Sequence, residues 1–140
     1  MFFFTVLALI ATVLALVCMG YFFLGSVPLL VLEHDTPLDS RFIRGFFNVY
    51  YRALPALAAL GAVSYALAGK AGFAVEMALI FGLTLAARRI VLAEMDTLRA
   101  TMTASDVAAI ARFRRVHIAA IALNLAQLVA LGVSLTLLRL

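Results

Sequence analysis

Residues 2–32 carry no charged side chain, and this run limits the fold of the chain more than any other feature in it. About 20 apolar residues are enough to cross the hydrocarbon core of a bilayer. The rest of the chain supports the same solvent. Hydrophobic residues make up 66% of it, charged residues 13%, and its mean hydropathy is +1.15. A water-soluble domain is about half apolar and about a quarter charged, so this chain has too little polar surface to cover a globule in water.

Residues 2–32 have neither the basic start nor the soluble continuation of a cleaved export signal, and they read as a retained first helix. Pro28 kinks this helix or ends its regular part. The segment EHDTPLDSRFIRG reads as a charged connection. A second apolar run covers about 48–69, and Gly69-Lys70-Ala71-Gly72 reads as a tight turn. A third run over about 73–87 continues as a helix to about 100, because Ile90, Val91, Met95 and Leu98 recur at helical spacing. Near TMTASD, Ser105, or Thr103 with Asp106, resembles a helix N-cap, and a fourth helix follows over about 106–138. The expected fold is a single transmembrane domain over 1–140: an all-α, integral membrane four-helix bundle. Short connections favour up-down-up-down order.

Basic residues indicate the orientation. The first and third connections and their flanks hold nine arginines, whereas the second connection and the termini hold only Lys70 and Arg139. Positive residues favour the cytoplasmic side. Both termini are therefore expected outside the cytoplasm, in a multi-pass protein of a bacterial inner membrane. The same clustering beside apolar runs reads as a topology signal rather than a nucleic-acid stripe. No GxGxxG, P-loop or HExxH motif occurs, and a single cysteine, Cys18, rules out an internal disulfide or a CxxC metal motif.

Two features depart from a plain bundle. Glu76 lies six residues after Lys70, about 9 Å along a helix, which puts a carboxylate inside the apolar zone. Such groups usually face a bundle interior and serve as site candidates; the structural alternative is a carboxyl satisfied by Tyr65, Ser64 or backbone. On helix four, His117, Ala120, Asn124, Gln127 and Leu131 share one stripe. Ala122, Ala126, Ala130 and Ser134 form a small-residue packing ladder on another face, and Ala58, Ala62 and Ala66 form a similar one on helix two. Gln127 is 12 residues from Arg115, and Glu76 is 12 from Arg88. Equal depth then predicts an intramembrane polar cluster of Glu76, Asn124 and Gln127, in which Glu76 and Gln127 meet.

His34 and His117, the only histidines, are both expected near the cytoplasmic boundary. They are the candidate cofactor ligands, with haem as the candidate cofactor; no metal site is expected, since no cysteine motif or HxxxH accompanies them. Arg88, Arg89, Arg99, Arg112, Arg114 and Arg115 form a cytoplasmic basic collar, interspersed with Glu94, Asp96 and Asp106.

RRIVLAEMDTLR followed by RFRRVHIAAIALNLAQL resembles a family of small four-helix bacterial membrane proteins of unknown function related to transmembrane protein 205. The residues that carry the resemblance are Arg89, Asp96, Phe113, His117 and Asn124, together with the aromatic segment FFNVYYRAL. It spans most of the chain, and its specific part covers about 35 residues. A longer first helix and the absence of tryptophan depart from the family pattern. The resemblance implies a fold and highlights residues, but supplies no reaction. Little chain lies outside the apolar runs, so the leading expectation is a non-catalytic accessory or structural subunit. It would pack against other membrane proteins or against itself. The alternative is a membrane-embedded haem, quinone or proton-handling site built on His34 and His117 or on Glu76, Asn124 and Gln127. A small transporter or oligomeric channel is third.

Overall fold

A computed structural model describes residues 1–31, 37–101, 103 and 105–137. It contains four α-helices: α1 (Phe2–Leu29), α2 (Pro37–Leu67), α3 (Ala71–Thr101) and α4 (Val107–Leu137). Among the described residues, three stretches are long and apolar enough to cross a membrane: Phe2–Leu29, Ser40–Leu67 and Val107–Leu137. Four such helices are expected from the sequence; α3, with Glu76, Arg88, Arg89, Glu94, Asp96 and Arg99 along it, is not among these three.

The second helix starts well before the apolar run that announces it. Part of the expected charged connection, residues 37–45, is roughly its first two and a half turns. Pro37 occupies the first helical position, where its fixed φ helps and its missing N–H costs nothing. Ile43, Phe47, Tyr50, Tyr51 and Leu54 then recur at helical spacing and are all buried. Arg41 and Phe42 face outward, so these charges mark one side of a helix.

The turn from α2 to α3 follows from Gly69, whose φ is +74°. Lys70 N–H donates to the Tyr65 carbonyl and Gly69 N–H to the Ala66 carbonyl, the paired bonds of a Schellman stop. At the head of α4 the cap is Asp106 itself, rather than Thr103 or Ser105: its Oδ1 accepts from the Ala109 N–H at 3.0 Å. A carboxylate suits this position, since it satisfies an orphan donor and faces the positive end of the helix dipole.

Each helix packs on its neighbours in chain order, and α4 closes back on α1. Specific pairs set the register. Phe22 stacks on Tyr50, with ring centroids 3.9 Å apart, and meets Phe47 edge-on. Thr12 shares a 3.0 Å hydrogen bond with Tyr65. Tyr65 packs on Phe73, and Gly61 leaves room for Met77. The α1 core face is mostly small (Ala8, Ala11, Thr12, Ala15), which allows close approach without a driving force from water. Phe22, Phe47, Tyr50 and Tyr51 form a chain of ring contacts in the core, and Phe113 is buried in the same cluster. Outward, large apolar side chains such as Val17, Leu24, Leu79 and Val129 are exposed along α1, α3 and α4. A surface of that kind is expected against lipid or another protein.

Candidate functional site: the polar seam of helix α4

The inward face of α4 carries His117, Ala120, Asn124, Gln127 and Leu131, all buried. Their spacing of three and four residues keeps them on one stripe. Each polar member reaches a different part of the bundle. His117 is fully enclosed and meets the Phe47 ring edge-on at 5.1 Å, inside the aromatic core rather than at its rim. Asn124 Nδ2 donates to the Tyr50 hydroxyl at 2.8 Å. Gln127 Nε2 donates to Thr84 Oγ1 at 3.4 Å, a long contact. Ser134 Oγ donates to Glu76 Oε1 at 2.8 Å.

These contacts correct the expected pairing of Glu76 with Gln127. The α3/α4 register matches Glu76 with Ser134, Thr84 with Gln127, and Glu94 with Arg112. Arg115 therefore stands near residue 92, beyond Arg88 along α3. Counting 12 residues inward from Arg88 and from Arg115 starts from two different heights, and the resulting depths do not match. Nor do Tyr65 and Ser64 hold Glu76: Tyr65 is engaged by Thr12, and Ser134 supplies the hydroxyl. The polar cluster is thus a seam of separate interhelical bonds.

Buried polar groups need partners, and the seam meets that demand in part. Asn124 Oδ1 has no hydrogen-bond partner among the described residues. It lies beside Tyr50, whose ring helps line a cleft of about 260 Å³ between α1 and α2, along with Cys18, Tyr21, Phe22 and Phe46. A second groove, of about 310 Å³, runs between α3 and α4 and is lined by Gly72, Phe73, Glu76, Ser134 and Leu137.

The small-residue ladder is placed differently from its expected packing role. Ala122, Ala126 and Ala130 are exposed, and only Ser134, half-buried, bonds within the chain. Within the chain, α4 buries the polar stripe with Phe113 and Ile121 and bonds through Ser134. The α2 ladder is split, with Ala58 buried, Ala62 half-buried and Ala66 exposed.

At the charged end, ion pairs tie the helices together. Arg44 forms a two-pronged bond to Asp96, with Nε–Oδ1 at 2.9 Å and Nη2–Oδ2 at 2.8 Å, and Arg99 lies 3.6 Å from the same carboxylate. The bond from Arg44, reinforced by the charges of Arg44 and Arg99, holds the Asp96 carboxyl below its usual range. Arg112 pairs with Glu94. Arg114 donates to the Leu30 carbonyl at 2.5 Å, which places a cation at the C-terminal end of α1, where the helix dipole favours it. Arg89 and Arg115 are exposed and Arg88 is half-buried. Sequence reasoning missed Arg44, Tyr50 and Thr84; the FFNVYY periodicity, read as a helix, would have turned Tyr50 inward.

His34 lies outside the described residues, so its expected pairing with His117 has no geometry here. Among the described residues, no group of three or more His, Cys, Asp or Glu side chains is placed to hold a metal ion. No protein-family model, curated protein or solved structure matches the chain.

Proposed function

We propose that the chain is a four-pass, up-down-up-down bundle of a bacterial inner membrane, with both termini outside the cytoplasm. In this reading it serves as a non-catalytic accessory or structural subunit. The observation that carries it is the division of labour on α4. Its polar stripe is used inside the bundle, in bonds from Asn124 to Tyr50 and from Gln127 to Thr84, and Ser134 bonds to Glu76. Its alanines, Ala122, Ala126 and Ala130, point outward and are exposed. Intramembrane hydrogen bonds of this kind commonly act as interhelical glue, and exposed small-residue ladders allow close helix approach. We also place the chain beside the family related to transmembrane protein 205. Three of the five motif residues, Phe113, His117 and Asn124, are buried, and Asp96 ties α3 to α2.

Native mass spectrometry after extraction in a mild detergent tests this reading. A discrete homo-oligomer or a stoichiometric complex with another membrane protein is expected. A monomer that carries only a bound cofactor would overturn it.

One observation favours a second reading, a quinone-type site. The buried, unpartnered Asn124 Oδ1 next to Tyr50 would accept a hydrogen bond from the hydroxyl of a quinol entering the α1/α2 cleft. Quinone in a solvent extract of the purified protein, lost in Asn124→Leu, would support it; a quinone-free extract would remove it.

A further inference from the structure

We infer that the groove between α3 and α4 is a binding site for a phospholipid with a primary-ammonium headgroup, whose ammonium is held by the carboxylate of Glu76. The inference rests on the membrane reading above.

Glu76 is half-buried and accepts a 2.8 Å bond from Ser134 at one carboxylate oxygen, Oε1. Among the described residues it forms no ion pair. Its surroundings are apolar: Phe73 and Leu137 line the groove, and Val75, Leu79 and Val133 are exposed beside it. A carboxylate at the edge of hydrocarbon, with one neutral donor among the described residues, is short of the pairing that an ion there requires. Lipid tails cannot supply it.

Depth selects the occupant. The helix stop at Gly69 and Lys70 marks the end of the α2/α3 hairpin. Six residues further, about 9 Å at the standard rise, Glu76 falls near the inner edge of a headgroup layer about 5–8 Å thick. An ammonium on a phospholipid reaches that level while its acyl chains lie along the apolar groove walls. Charge sign and hydrogen bonding narrow the class further. An anionic headgroup would be repelled by Glu76. A quaternary trimethylammonium has no N–H to donate, whereas a primary ammonium offers three and forms charge-assisted bonds to a carboxylate. The arginine-rich end of the bundle, with the opposite charge preference, is separated from this groove by most of the length of α3.

The test uses the full chain in bilayers of equal parts phosphatidylethanolamine and phosphatidylcholine with matched acyl chains. Lipids retained on the released protein are counted by native mass spectrometry. The wild-type chain is expected to retain phosphatidylethanolamine over phosphatidylcholine by about tenfold, the low end for one charge-assisted hydrogen bond. Stepwise N-methylation of the headgroup should erode the preference, and Glu76→Gln should abolish it while other lipids stay bound. Excess free ethanolamine should not displace the lipid. Equal retention of the two lipids by the wild-type chain, which needs no variant to fold, overturns the site alone, as does an undiminished preference in Glu76→Gln. Displacement by free ethanolamine overturns the assignment to a lipid. A wild-type chain that retains no phospholipid of any kind overturns the membrane reading together with the site.

Discussion

Asn124 of α4 donates its side-chain amide to the Tyr50 hydroxyl of α2 at 2.8 Å, although these helices occupy opposite corners of the bundle and share no backbone-level contact among the described residues. The bond crosses the core diagonal that neighbour-to-neighbour packing leaves open. Tyr50→Phe removes the acceptor and leaves the buried amide unsatisfied. It should destabilise the bundle by about 1 kcal/mol, within the range of intramembrane hydrogen bonds. Asn124→Leu with Tyr50→Phe should recover part of that loss, since both polar groups are then gone. A double-mutant cycle on unfolding in mixed micelles checks this; strictly additive losses would show that the bond carries no coupling.

The Arg44–Asp96 pair gives the charged end a pH dependence of defined sign. Asp96 has a lowered carboxyl pKa in the folded state, chiefly through the Arg44 bond. Its contribution to stability is therefore complete above the unfolded value of about 3.9 and fades as pH falls through the lower folded value. Because the Asp96 side chain is 46% exposed, screening should hold the effect to about 0.2–1 kcal/mol. Melting curves of wild type and Asp96→Asn in detergent should differ at pH 7 and converge below about pH 4. A gap that persists unchanged at low pH would assign the effect to something other than the carboxylate charge.

Two glycines at helix crossings should respond differently to the same change. A Cβ at Gly25 would lie 2.7 Å from Cζ of the Phe46 ring, and one at Gly61 would lie 2.3 Å from the terminal methyl of Met77. Phe46 is held between Phe22 and Tyr21, whereas the Met77 methyl ends a flexible chain. Gly→Ala within a helix gains about 1 kcal/mol of propensity, and overpacking costs about 1–3 kcal/mol. Gly25→Ala should therefore lose stability, and Gly61→Ala should be near neutral. Thermal unfolding of the two variants side by side decides the point, and the reverse order would contradict it.

The proposed orientation is open to a direct reporter experiment. Alkaline phosphatase fused after Leu140 should be active, as in the periplasm, and green fluorescent protein at the same place should be dark. Insertion of the phosphatase after Thr103 should give the opposite result. A fluorescent fusion after Leu140 would invert the topology.

Much of the architecture was legible because helical periodicity and charge are local. The Gly69 stop, the inward stripe from His117 to Leu131 and the arginine clusters can all be read from spacing alone. Other features depend on tertiary register. The start of α2 was hidden because Arg41 and Arg44 read as a break in hydropathy, when they lie beside a buried face of Ile43 and Phe47. The partners of Glu76 and Gln127 depend on how far α3 slides along α4, a quantity that no residue count from the arginines supplies. The outward placement of Ala122, Ala126 and Ala130 depends on which α4 face the other three helices occupy. The polar stripe takes that face, since Asn124 and Gln127 would be costlier against lipid than alanine.

The accessory-subunit role rests on the outer face of α4, and site-specific photo-crosslinking in intact membranes tests it most directly. A photoreactive residue placed in turn at Ala122, Ala126 and Ala130 should yield one discrete crosslinked protein band, either a homodimer or a complex with another membrane subunit. The same residue at Val17 on the outer face of α1 should yield none. Crosslinks to lipid alone at all three alanine positions, from a properly inserted protein, would contradict the accessory-subunit reading.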